Sequence, residues 1–257
     1  MGRIKVSFVL IVLFIGNIIN AQEFVVQYQQ VINLGEPEIA HYELYITKDQ
    51  SLYFDVTQKN AAALKETQEH NFTTITISEE RQPNNIYIDF SIRALYESTY
   101  LGKNNVVIEE NLYPFDWNIT GETKQIADYI CTKATTRFRG RDYEVWFTEE
   151  IATQAGPWKM HGLPGLILEL YDTEHLIVIH AKKISTQSLG KEQAGLINKT
   201  QKTKTISFRE YDKLFKKHAQ ELINQMMTKM PEGFPPMKID ENCEDCQSLE
   251  IYEEWEK

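Results

Sequence analysis

Residues 143–181 read YEVWFTEEIATQAGPWKMHGLPGLILELYDTEHLIVIHA. Residues 143–148 are aromatic and half-alternating: Tyr143, Val145 and Phe147 fall on one face, and Glu144, Trp146 and Thr148 on the other. Residues 166–171 and 176–181 are short apolar runs, parted by the polar turn Asp172-Thr173-Glu174-His175. Gly156-Pro157 and Pro164-Gly165 punctuate the stretch between the first run and the second. Period-2 segments split by turn residues mark antiparallel strands. No ten-residue helical pattern lies between them, so parallel βαβ units are excluded.

The same grammar runs upstream. Residues 24–29, 72–77, 86–90 and 106–110 each read as a strand, and Asn84-Asn85 supplies a turn before the third. Residues 41–47 and 51–56 form a hairpin across Lys48-Asp49-Gln50. Residues 185–206 are rich in Lys, Gln, Thr, Gly and Ser and read as a polar connector. Ser207-Phe208-Arg209-Glu210 is a capping box, in which the Ser hydroxyl and the Glu carboxylate satisfy helix N–H groups reciprocally. Apolar residues then recur at helical spacing to Met230, and Pro231 and Gly233 end the pattern. The expected fold is mainly β (α+β): a large curved antiparallel sheet or half-barrel packed against one long C-terminal amphipathic helix, about 207–230. The helix is expected to close the concave face. Residues 22–230 form one domain and 231–257 an acidic, Cys-containing tail.

The chain has 257 residues and a formal charge of −10, with no extended basic run. Binding nucleic acid needs clustered Lys and Arg, so that class is set aside. Residues 1–21 have the three-part layout of a secretory signal peptide: Arg3 and Lys5, an apolar core over 6–15, and a small residue at Ala21. That core is half of the ~20 residues needed to span a bilayer. Export to a periplasmic or extracellular compartment is therefore expected, with no membrane-spanning segment. In that oxidising setting Cys243 and Cys246 read as a disulfide, either local or involving Cys131, or as a metal-binding pair.

The block 162–167 spells Gly-Leu-Pro-Gly-Leu-Ile. With Cys131-Thr132-Lys133-Ala134, Phe138-Arg139-Gly140-Arg141, Trp146-Phe147-Thr148-Glu149-Glu150-Ile151 and Gly156-Pro157-Trp158-Lys159 in order, the chain resembles the GLPGLI family of exported bacterial envelope proteins. One departure is Ala152, where many members carry Pro. The resemblance implies an envelope address and a link to an outer-membrane transport protein. It implies no activity.

Physically, Pro164 restrains Leu163 to extended geometry, and Gly165 is expected at positive φ in a Pro-Gly turn that enters a central strand. The two turns would form a rim on which Trp158, Lys159 and His161 face a ligand, with Trp146 packing nearby. The candidate ligand-binding residues are thus Trp146, Trp158, Lys159, His161, Gly162, Leu163, Pro164 and Gly165. Aromatic and cationic groups together suit an amphiphilic or peptide ligand. The alternative is a purely structural block that aims one strand into the core.

No Gly-x-Ser-x-Gly, His-Glu-x-x-His or phosphate-binding Gly loop occurs. Glu149-Glu150 reads as a solvated strand end, since adjacent strand residues point to opposite faces. The Met and Cys residues near the C-terminus could hold a soft metal but are more simply core filler and a disulfide. The reading is a non-catalytic binding or accessory protein for a hydrophobic small molecule or a peptide, without a cofactor. A peptidase or hydrolase, or a soft-metal or redox module, are the other classes.

Overall fold

The structure is a computed structural model and describes residues 23–33, 36–57 and 83–228. The signal peptide, the strand expected at 72–77, the residues after 228 with Cys243 and Cys246, and Met230 lie outside the described residues.

A first antiparallel meander comprises β1 (Phe24–Ile32), β2 (Glu38–Ile46), β3 (Gln50–Asp55), β4 (Asn85–Asp89), β5 (Ala94–Leu101) and β6 (Asn104–Asn111). A second comprises β7 (Asn118–Ile126), β8 (Tyr129–Phe138), β9 (Arg141–Thr148), β10 (Leu166–Asp172) and β11 (Ile177–Thr186). β1 pairs with β11 along its whole length and joins the two halves. β12 (Thr205–Ser207) adds a short parallel strand outside β6. The spatial order is β12-β6-β5-β4-β3-β2-β1-β11-β10-β9-β8-β7.

Connectivity forces this sheet to curl. β6 and β7 stand ten places apart in the strand order, which is about 48 Å in a flat sheet. Residues 112–117, which link them, reach about 25 Å when fully extended. The sheet therefore bends until its two halves face each other. Val26, Tyr28, Leu44, Tyr53 and Ile88 of the first half meet Phe138, Tyr143, Val145 and Phe147 of the second in one core. The turn-rich segment 149–165 folds onto the same concave face, where Ile151, Ala155, Met160 and Leu163 are buried.

On the convex face, Val25, Tyr45, Leu52, Phe54 and Tyr87 form a smaller cluster. It is covered by α1 (Lys191–Lys202), which contributes Leu196 and Ile197. Here the structure corrects the sequence reading: 185–206 is not a loose connector but carries the end of β11, then α1 and β12. α1 has few apolar residues and no side-chain cap at its start. It is held instead by tertiary contacts: Thr200 Oγ1 donates to Asn85 Oδ1 at 3.4 Å and Gln201 Nε2 to the Tyr87 hydroxyl at 3.2 Å. Glu192 in its first turn and Lys199 and Lys202 in its last suit the helix dipole.

The C-terminal helix α2 (Phe208–Met227) forms as the capping box requires, with Glu210 N–H donating to Ser207 Oγ at 3.2 Å. It packs against the sheet at β5, β6 and β12, and His218 sits on the β5–β6 turn at Gly102. It does not fill the concave face as expected. None of its described side chains is fully buried, and Leu214, Phe215 and Leu222 are 37%, 51% and 46% exposed. The reason is steric: the concave space is already occupied by aromatic rings and by 149–165. Among the described residues no helix is long and apolar enough to cross a membrane.

Candidate functional site

The curl brings β5 and β6 opposite the β8–β9 hairpin, and four charged side chains meet there. Arg139 and Gly140 make the two-residue hairpin turn, with φ of 48° and 80°. Positive φ at both central positions matches the strand twist and aims Arg139 inward. The Arg139 guanidinium pairs with Glu110 of β6. It also lies over the Phe138 ring, 4.7 Å from its centroid, and 5.3 Å from that of Phe208.

Lys159 arrives from the other side. Pro157 starts a turn closed by Met160 N–H on the Pro157 carbonyl at 3.2 Å. Trp158 is held at φ 54° inside it, a conformation costly for a bulky residue. The turn sends Lys159 into the interior, where it is 2% exposed. Its Nζ is 2.7 Å from Glu97 Oε2 and 3.5 Å from Glu110 Oε1. A buried ammonium requires such carboxylate partners.

His161 is also buried. Its Nδ1 donates to the Lys159 carbonyl at 2.9 Å, and its own carbonyl accepts from Trp117 Nε1 at 2.9 Å. The imidazole stands edge-on to Phe115, 4.9 Å between centroids. Burial holds its pKa below the usual imidazole value and outweighs the hydrogen bonds that pull it up, so the ring is neutral at pH 7. Between these groups lies a cavity of about 490 Å³, walled by Leu95, Glu110, Tyr113, Phe138, Arg139, Lys159 and His161.

The structure sorts the eight expected residues. Lys159 and His161 line the cavity. Trp158 stands behind it, against Phe138 at 5.7 Å and Tyr143 at 6.0 Å. Leu163 is buried in the core, while Gly162 and Pro164 are exposed on the outside of the loop. The roles of the two glycines differ from expectation. Gly162, not Gly165, takes positive φ, at 90°. Gly165 is needed for close approach: a Cβ there would lie 2.1 Å from the Thr148 carbonyl oxygen.

Trp146 is on the opposite face of β9 from Tyr143 and is not among the residues that line the cavity. Its Nε1 donates to Glu144 at 2.9 Å, and Lys124 Nζ sits 4.3 Å over its ring. Glu144 also accepts from the Tyr171 hydroxyl and pairs with Lys133 at 2.8 Å. Burial of the Glu144 carboxylate is outweighed by these donors, and its pKa is lowered.

Arg139, Glu110, Glu97, Phe138, Tyr113 and Phe208 escaped the sequence reading as site residues. The Arg139-Gly140 turn was the one available signal. Glu97 and Glu110 lie in strands whose partners across the cavity are decided by the curl alone.

Glu149 and Glu150 are exposed at a strand end, as expected. Among the described residues Cys131 is a free, buried thiol; Cys243 and Cys246 lie outside them. Among the described residues no cluster of three His, Cys, Asp or Glu could hold a metal ion.

The sequence profile described as N-glycanase peptide, N-terminal domain, matches residues 56–214. No curated protein sequence matches the chain. Among solved structures, PNGF-II in a C2 crystal form is similar over 77% of this chain and 33% of its own, with 21% identity and a TM-score of 0.55. PNGF-II in a P21 form gives 20% identity and a TM-score of 0.55, over 77% of this chain and 34% of its own. The fold is shared, and the chain spans about a third of the length of those relatives. An uncharacterized conserved protein from Thermus thermophilus is more distant, with 10% identity and a TM-score of 0.40 over 73% of this chain and 91% of its own.

Proposed function

Because the chain belongs to the N-glycanase peptide, N-terminal domain family, we propose that it is a non-catalytic binding module that holds a segment of peptide, including glycosylated peptide, in the Lys159–Arg139 cavity. One observation carries this reading: a cavity of about 490 Å³ is walled by aromatic rings and by charged groups fixed in place by ion pairs. Concave sites with a few convergent polar groups are where small ligands and side chains bind. Of the two ligand classes expected, a peptide suits this site better than a long acyl chain. The rest of the concave face is packed with side chains, so an acyl chain would have nowhere to extend.

Export belongs to the same proposal. The leader at 1–21 directs the protein out of the cytoplasm, and the GLPGLI-like block associates it with the cell envelope and its transport proteins. N-terminal sequencing of the mature protein tests the address: it should begin at Gln22.

Native mass spectrometry of protein purified from its own cells tests the binding role. A co-purifying peptide mass that is lost in Phe138→Ala and in Lys159→Met supports it. A retained mass that neither variant affects overturns the site. Peptide hydrolysis that His161→Ala abolishes would replace the module with an enzyme.

A further inference from the structure

We infer that the cavity recognises an aromatic side chain of its ligand, and that Phe208, the first residue of α2, is the internal stand-in that this ring displaces. The inference rests on the binding reading above and names the ligand class for the same site.

The charge balance decides against an anion. Arg139 and Lys159 are matched by Glu110 and Glu97 within the cluster, and Arg137, the third cation on the cavity wall, is matched by Asp142 at 3.3 Å. The cluster offers little net field to a carboxylate or phosphate. What it offers is cation faces held beside rings. The Arg139 guanidinium lies over two of them, Phe138 and Phe208, and the Lys159 ammonium is 5.7 Å from the Phe208 ring. A guanidinium stacks on aromatic faces as well as pairing with carboxylates.

The two rings are held differently. Phe138 ends a sheet strand, is 2% exposed and packs edge-on against Tyr113 at 5.1 Å. Phe208 is half-buried and opens a helix with no fully buried described side chain. That helix follows a strand of only three residues, whose Thr205 hydroxyl donates to Glu109 at 2.7 Å. Phe208 is therefore the less buried of the two rings, on an edge element, and the one that an incoming ring would displace. Tyr113, 47% exposed on the cavity wall, supplies the shelf on which an incoming ring would first land.

The test uses the mature chain, N-acetyl-L-phenylalaninamide as the aromatic probe and N-acetyl-L-leucinamide as the neutral aliphatic control, followed by amide NMR shifts. The aromatic probe should shift Tyr113, Phe138 and Gly140 and bind about fivefold tighter than the control, the size of one modest cation–π contact. Phe208→Ala should tighten the aromatic probe by a further factor of about five, because the competing ring is gone. Phe208→Leu keeps apolar volume without the ring and should tighten it too, which separates displacement from loss of fold. Arg139→Met should abolish the preference for the aromatic probe. Weaker binding in both Phe208 variants, or equal binding of the two probes, overturns the inference while the cavity remains a binding site. Shifts confined to residues outside the cavity, with both probes and in all variants, overturn the inference and the binding reading together.

Discussion

Replacing Gly165 by alanine separates two ways in which a glycine can be required. Gly165 is buried at the point where the chain enters β10, beside the end of β9. An added Cβ would lie 2.1 Å from the Thr148 carbonyl oxygen, 2.6 Å from its carbon and 2.9 Å from Glu149 Cα. All three are backbone atoms, so no side chain can rotate away. The strand end must retreat by roughly an ångström. That retreat pulls on the Leu166–Thr148 pairing and on the Leu166 N–H bond to the Ile151 carbonyl, 3.1 Å. Overpacking of this kind, with one hydrogen bond weakened, costs about 3 kcal/mol.

Gly162→Ala is the internal control. Its nearest neighbour to a new Cβ is Trp117 Nε1 at 3.8 Å, so there is room, but φ is +90°. That substitution costs backbone strain alone, about 1–2 kcal/mol. Urea denaturation followed by tryptophan fluorescence measures both free energies, and thermal unfolding followed the same way gives the midpoints. For a domain of this size the Gly165 variant should lose about 6–12 °C of thermal midpoint. A Gly165→Ala protein within 1 kcal/mol of wild type, or one more stable than Gly162→Ala, would refute the close-approach argument.

Three further outcomes are expected. Lys159→Met removes the shared partner of Glu97 and Glu110 inside the protein and should destabilise it by about 3 kcal/mol, since breaking a buried pair leaves its other member uncompensated; adding Glu97→Gln should restore part of the loss in the same denaturation assay. His161 titrates below its ordinary value of 6.5 because it is buried, so the unfolded chain takes up its proton first. Stability contributed by neutral His161 is complete above pH 6.5 and is lost as pH falls through the lower folded value; an NMR titration placing His161 above 6.5 would contradict this. The Cys131 thiol is pushed up to about 11, chiefly by burial. Reagent labelling of Cys131, mapped by peptide mass, should be very slow at pH 8 in the native protein and fast in denaturant, because both access and thiolate are missing until the chain opens.

The strands of 143–181, the hairpin ending at Asp55 and the cap at Ser207 were legible because each is a local pattern. Alternation, turn residues and a capping box act over a few positions, and burial later agreed with them. β5, β7 and β8 were not recognised. β7 is polar except for Ile119 and Ile126 and exists as a strand because it pairs with β8. β8 turns small or polar residues, Ala134 and Thr136, toward the core beside Phe138, which breaks the apolar signal. α1 was missed for a related reason, since Asn85 and Tyr87 anchor it through polar bonds that no helical periodicity records.

The candidate site divides in the same way. Lys159 and His161 stand out in the sequence because they flank conspicuous turns, and both line the cavity. Trp146 does not line the cavity because alternation sends it to the opposite face of β9 from Tyr143. Glu97, Glu110, Arg139 and Phe208 could not have been grouped from their positions in the chain. Sequence alone determined that this protein would be an antiparallel β structure with a terminal amphipathic helix and a rigid, turn-bounded block at 156–165. Only the tertiary structure decided what faces that block, because a six-residue link between distant strands closes the sheet on itself, and that closure brings together charges that no local pattern relates.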